Sequence, residues 1–101
     1  MKSSIAIQVL PDTNDKLELV RIVDEVIDYI RSTGLNYYVG PFETCIEGES
    51  YDELMDIATN CQKIAIKAGA KYVSSYIKIN YNPNGEVLTI EEKTSKHHKN
   101  D

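Results

Sequence analysis

The sequence predicts an α+β domain in which two amphipathic helices cover one face of a four-stranded antiparallel sheet, the βαββαβ order of ferredoxin-like folds. Three observations carry this expectation. Four short segments are rich in branched and aromatic residues that alternate with a period of two. Two long segments repeat apolar residues at helical spacing. Breakers at Pro11, Gly34, Gly40-Pro41, Gly48, Gly69 and Asn82-Pro83-Asn84-Gly85 then separate strand, helix, strand, strand, helix, strand. At 101 residues one hydrophobic core is expected, with a single domain over residues 1 to 92 and a polar, basic tail over 93 to 101.

Residues 4 to 10 form the first strand, with Ile5, Ile7 and Val9 on one face, Ala6 and Gln8 on the other, and Pro11 ending it. Asp12, Thr13 and Asn14 supply capping side chains for a helix. In that helix Leu19, Val23, Val26, Ile27 and Ile30 make the apolar stripe and Gly34 makes the stop. Residues 35 to 39 and 42 to 47 read as a hairpin about Gly40-Pro41. Ser50 and Glu53 have capping-box spacing ahead of a second helix from about residue 51 to 68, whose stripe (Leu54, Ile57, Ala58, Cys61, Ile64, Ala65, Ala68) is rich in small side chains. Residues 71 to 81 are the longest strand, with Val73, Ile77 and Ile79 on one face and Tyr72, Ser74, Tyr76 and Lys78 on the other. Thr89 and Glu92 repeat the capping-box spacing, so a short helix is expected from residue 90 to about 96.

Composition excludes several classes of function. The formal net charge is -5, and because Lys93, Lys96 and Lys99 face only Asp101 in the tail, the body is more acidic still. Phosphate backbones are bound by clustered Lys and Arg, so nucleic acid is not an expected partner, and the aromatic residues sit in no basic RNA-binding motif. No apolar run approaches the roughly 20 residues that cross a bilayer, and the N-terminal apolar stretch is too short for a signal peptide, so the expected location is cytoplasmic. Cys45 and Cys61 fit reduced core residues in that compartment. His97 and His98 lack the partner spacing of a metal site and belong to the tail.

The densest information lies in residues 40 to 53, where a turn, a strand carrying two acids and a helix start are compressed together. Parity puts Thr44 and Ile46 on one face and Glu43, Cys45 and Glu47 on the other. Two helices cover only one side of the sheet. The opposite face is therefore expected to present Gln8, Tyr38, Glu43, Cys45, Glu47, Tyr72, Ser74, Tyr76 and Lys78. The bland reading of the acids is an edge that discourages aggregation or pairs with Lys78, and of the tyrosines, packing in a symmetric homo-oligomer.

Residues 40 to 49, Gly-Pro-Phe-Glu-Thr-Cys-Ile-Glu-Gly-Glu, with Asp52-Glu53 behind them and residues 5 to 11, Ile-Ala-Ile-Gln-Val-Leu-Pro, resemble the thiamine-binding protein family, related to the YkoF type of hydroxymethylpyrimidine and thiamine binders. The likeness runs from about residue 4 to 92 and centres on Thr44-x-x-Glu47-Gly48. It departs from the family pattern at Cys45, where Thr or another small residue is common, and at Asp12-Thr13. The resemblance implies a cytoplasmic, ferredoxin-like binding protein, a homodimer or homotetramer through its sheets, that holds thiamine or its pyrimidine moiety without catalysis. The ligand-binding residues it implies are Gln8, Glu43, Thr44, Glu47 and Tyr76. Glu43 and Glu47 suit the thiazolium charge and the aminopyrimidine, Gln8 offers a donor and an acceptor, Thr44 caps a ring edge and Tyr76 stacks. Thr44 faces away from the two acids, so one pocket needs either a β-bulge or a site at the strand end reached from both faces.

Catalysis is not expected. There is no Gly-rich phosphate loop, no Cys-x-x-Cys and no histidine in the body to serve a nucleophile. The two carboxylates lie about 13 Å apart along a strand, too far for a glycosidase pair. No metal or cofactor is expected beyond thiamine or hydroxymethylpyrimidine as ligand. The alternative function is a ligand-free oligomeric regulatory module that uses the open sheet face to bind protein.

Overall fold

In the computed structural model, which describes residues 1 to 98, the strand order is β2-β3-β1-β4 and every neighbouring pair is antiparallel. The elements are β1 (Ser3–Pro11), α1 (Lys16–Ser32), β2 (Asn36–Val39), β3 (Thr44–Gly48), α2 (Tyr51–Lys67), β4 (Val73–Tyr81) and α3 (Ile90–Thr94), followed by a 3-10 turn at Ser95–His97. This is the expected ferredoxin-like α+β arrangement. Residues 99 to 101, the end of the expected basic tail, lie outside the described residues.

Local chemistry sets the ends of the helices. The expected cap of α1 was within residues 12 to 14, but the cap is Asp15, whose Oδ1 accepts from the N–H groups of Leu17 at 2.9 Å and Glu18 at 3.3 Å. Asp12 is engaged elsewhere, since its Oδ1 accepts from the backbone N–H of Lys71 and Tyr72 and so ties the approach to β4 to the end of β1. At the far end of α1 the chain turns through Gly34 with φ +78°, a left-handed conformation that costs other residues roughly 1–2 kcal/mol. In α2 Ser50 accepts from Glu53 N–H at 3.1 Å, the N-cap half of the expected box. In α3 both halves of the Thr89–Glu92 box form.

Parity does the rest. Pairing of Ile5 with Ile46 and Ile79, and of Ile7 with Thr44 and Ile77, puts these residues on one face of the sheet. There the buried Ile5, Ile7 and Ile46 meet Ile22, Val26 and Ile30 of α1 and Leu54, Ile57, Ala58, Cys61 and Ala65 of α2. The small side chains of α2 let its backbone approach the sheet closely. The helices are fastened to each other as well, with Asn60 donating to the Tyr29 hydroxyl at 2.9 Å and Arg21 to the Ala68 carbonyl at 2.6 Å. No described helix is long and apolar enough to cross a membrane.

The opposite face departs from expectation in one respect: a third helix crosses it. After β4 the chain runs back beside the N-terminus, with Asn82 N–H donating to Lys2 O at 2.9 Å and Val87 N–H to Met1 O at 2.8 Å. It then turns over the sheet, so that α3 contacts β3. Residues 82 to 97 thus form a strap over part of the face that the two long helices leave free.

Candidate functional site

Two clefts meet at Glu43, one on each side of the sheet. The first, of about 230 Å³, lies at the strand ends between α1 and the β2–β3 turn. Gly40 N–H donates to Glu43 O at 2.8 Å to close this turn, and a Cβ on Gly40 would stand only 2.9 Å from the same oxygen. Glycine is required there by close approach, and the contact fixes where Glu43 leaves the turn. Thr44 is the first residue of β3, paired with Ile7 and Val39. The cleft wall is aliphatic, from Ile7, Val9 and the Leu19, Val23 and Ile27 stripe of α1, and Phe42 at its rim is 78% exposed.

Gln8, Glu43 and Thr44 all line this cleft. Their convergence comes from the strand end, where residues of opposite parity are reached from both sides of the sheet; β3 is regular in its pairing there. Among the described residues Glu43 has no ion pair, and neither the Gln8 amide nor the Thr44 hydroxyl has a hydrogen-bond partner. A carboxylate, an amide and a hydroxyl beside an apolar wall can hold a flat heterocycle carrying amino and cationic groups.

Glu47 and Tyr76 lie elsewhere. Tyr76 pairs with Gln8 across β1 and β4, on the sheet face opposite the core, and is 70% exposed outside the cleft lining. Glu47 is three residues along β3 from Thr44, about 10 Å away by strand rise, and is only 4% exposed. Its Oε1 accepts the Ile90 N–H at 2.5 Å and its Oε2 accepts from Asn36 Nδ2 at 3.3 Å. Ile90 opens α3, and its N–H has no partner within the helix. The buried carboxylate therefore latches the strap to the sheet. The sequence carried a signal for it, Leu88 and Ile90 around the Thr89 cap, but nothing that specified where the helix docks.

The second cleft, of about 210 Å³, lies between the sheet and the strap. Tyr38, Cys45 and Lys78 line it from the sheet and Leu88, Ile90, Lys93 and Thr94 from the strap, with Glu43 at its edge. Burial pushes the Cys45 thiol up, the Glu43 carboxylate adds to this, and Lys93 and Lys78 oppose it. Burial alone pushes Cys61, in the core, up to about 11. Both cysteines are free. Among the described residues no group of three or more His, Cys, Asp or Glu side chains is arranged to hold a metal ion.

Residues 5 to 98 match the sequence pattern of a family described as thiamine-binding protein. A UPF0045 protein of Clostridium perfringens is 42% identical over 94 residues, which cover 93% of this chain and 95% of the relative. A domain of unknown function, DUF77, from Bacillus cereus superposes with a TM-score of 0.85 at 33% identity, over 99% of this chain and 93% of that one. A Thermotoga maritima protein provisionally ascribed to thiamine biosynthesis or salvage superposes with a TM-score of 0.82 at 34% identity, over 97% of this chain and all of its own.

Proposed function

The chain belongs to the thiamine-binding protein family, and from that premise we propose that it binds thiamine or its hydroxymethylpyrimidine moiety without catalysis, in the cleft between α1 and the β2–β3 turn. The observation that carries the reading is the convergence of Gln8, Glu43 and Thr44, none with a partner among the described residues, on one apolar slot. The aminopyrimidine lies against the aliphatic wall, with Gln8 and Thr44 serving its ring nitrogens and amine. Glu43 faces the permanent positive charge of the thiazolium, and Phe42 closes over the ring. A volume of about 230 Å³ is below the roughly 300–1,000 Å³ of drug-sized sites. It suits the pyrimidine and leaves the thiazolium toward Glu43 at the rim.

The protein acts in the cytoplasm as a homodimer or homotetramer, with Tyr76 and the exposed β4 strand at the subunit contact, and it sequesters or presents its ligand. Glu47 lies outside this cleft and holds the strap on the other side of the sheet. Calorimetric titration with thiamine and with hydroxymethylpyrimidine tests the assignment. Saturable heat is expected for both, with Glu43→Gln weakening thiamine about tenfold, the scale of one charge-assisted contact, and hydroxymethylpyrimidine less. No saturable heat at millimolar thiamine, or equal affinity in the variant, overturns it.

A second reading has its own observation. Tyr72, just before β4, and Tyr76, Ile77, Ile79 and Tyr81 along it are all exposed, and β4 is an edge strand of the sheet. A ligand-free oligomeric interaction module would use this strip, and native mass spectrometry distinguishes it by a stable protein complex carrying no small molecule.

A further inference from the structure

The cavity under the strap has a charge pattern that the pyrimidine site does not use. Its floor is low because Ser4 and Ala6 of β1 are small, and Ala6 pairs with Cys45 on one side and Lys78 on the other. Lys78 rises from the sheet and Lys93 comes from α3 above it, so two ammonium groups approach one space from different elements. Both act electrostatically on the same Cys45 thiol. The chain has 16 acidic residues against 11 basic ones, yet neither lysine has an ion pair or hydrogen bond among the described residues. Two cations left unpaired over one cavity in an acidic protein are the recognition chemistry of a multiply charged anion.

Glu43 is common to both clefts, so the strap cavity joins a carboxylate shared with the other cleft to two lysines. A thiamine phosphate presents the complementary order, a cationic thiazolium followed through a short ethyl arm by a phosphoryl group. We propose that the strap cavity is a phosphoryl subsite in which Lys78 and Lys93 hold the phosphate, as an ester of the ligand or as the free ion. The identity of the ring rests on the thiamine reading above; the lysine pair stands on its own geometry. The phosphoryl oxygens accept from the two ammonium groups, and the apolar roof of Leu88 and Ile90 shields the ester arm. Glu43 is neutralised by the thiazolium in the same complex, which removes the repulsion that a bare phosphate would meet.

The test measures thiamine, thiamine monophosphate and inorganic phosphate by calorimetry and by amide chemical shifts, on the wild type and on the double variant Lys78→Met, Lys93→Met. The variant's amide spectrum is first checked for native dispersion, with Lys63→Met as a control for general charge loss. The monophosphate is expected to bind about tenfold or more tightly than thiamine, with shifts at Ala6 and Cys45, and the double variant to erase the difference while keeping thiamine affinity. Inorganic phosphate that shifts the same amides, with no gain for the ester over thiamine, supports the subsite and identifies the free ion as its occupant. If no thiamine species binds but phosphate still shifts these amides in a lysine-dependent way, the thiamine reading fails and the subsite stands. Equal binding of thiamine and its monophosphate without phosphate shifts, or a preference that survives the double variant, overturns the subsite.

Discussion

Glu47→Gln tests the latch between sheet and strap directly. The carboxylate is 4% exposed and accepts from Ile90 N–H at 2.5 Å and Asn36 Nδ2 at 3.3 Å. Glutamine keeps the volume, but only one of the two positions that accept from Ile90 and Asn36 keeps an oxygen, and the NH₂ group turns a donor toward the other donor. A hydrogen bond to a charged group contributes about 1.5–3 kcal/mol and a neutral one about 0.5–1.5, so the substitution should cost roughly 1–2 kcal/mol. That cost falls first on the strap, because residues 82 to 97 can lift while the core of the sheet and the long helices stays packed. Native-state hydrogen exchange should therefore show the Ile90 amide exchanging about 5- to 30-fold faster, with Ile5 and Ile46 much less changed. If the strap unfolds together with the core, the same energy appears as a drop in Tm of about 4–8 °C per kcal/mol instead. The effect is expected without any ligand, which separates a latch from a ligand contact. Ile90 exchange and Tm both unchanged in the variant would refute the reasoning.

Three further outcomes follow from the core and the caps. Leu54→Ala removes a side chain that is fully buried and should cost about 2–5 kcal/mol in urea denaturation; a loss under about 1 kcal/mol would mean that the site collapses around the deletion. The Cys61 thiol is raised from 9.0 to about 11, so the folded state holds its proton longer than the unfolded chain. This contribution to stability is full below pH 9 and disappears as pH rises from 9 through 11. Denaturation curves at about pH 8, 10 and 11 should show that decline flattened by Cys61→Ala, and parallel pH profiles would contradict the sign. Thr89→Ala removes the cap that accepts from Glu92 N–H at 3.0 Å and should weaken α3 by about 1 kcal/mol, seen as faster exchange of the Glu92 amide with little change in the core.

The division between what was legible in the sequence and what was not follows the range of the interactions. Period-two alternation assigned Thr44 and Ile46 to one face and Glu43, Cys45 and Glu47 to the other, because successive Cβ atoms on a strand must point to opposite sides; the register of Ile5 with Ile46 and of Ala6 with Cys45 follows that parity. The helix stripes, the Gly34 stop and the Thr89–Glu92 box are equally local. The α1 cap shows how competing candidates are settled from outside. Asp12, Thr13 and Asn14 all had suitable side chains, yet the contacts of Asp12 with Lys71 and Tyr72, 59 and 60 residues away, employ it at β4 and leave the helix to Asp15.

The chain by itself determined the order of elements, the faces of the sheet and the cluster of polar groups in residues 40 to 53, since each depends on neighbours within a few positions. Only the tertiary structure decided which of those groups share a space. It gathered Gln8, Glu43 and Thr44 at the strand ends and separated Glu47, whose carboxylate meets an amide 43 residues away. It also moved Lys93 from an expected polar tail to a cavity opposite Lys78. The physical reason is that closure of the strap depends on a few long-range hydrogen bonds and apolar contacts. Their partners are fixed by how the sheet and helices stack, and no short window of sequence contains both halves of such a contact.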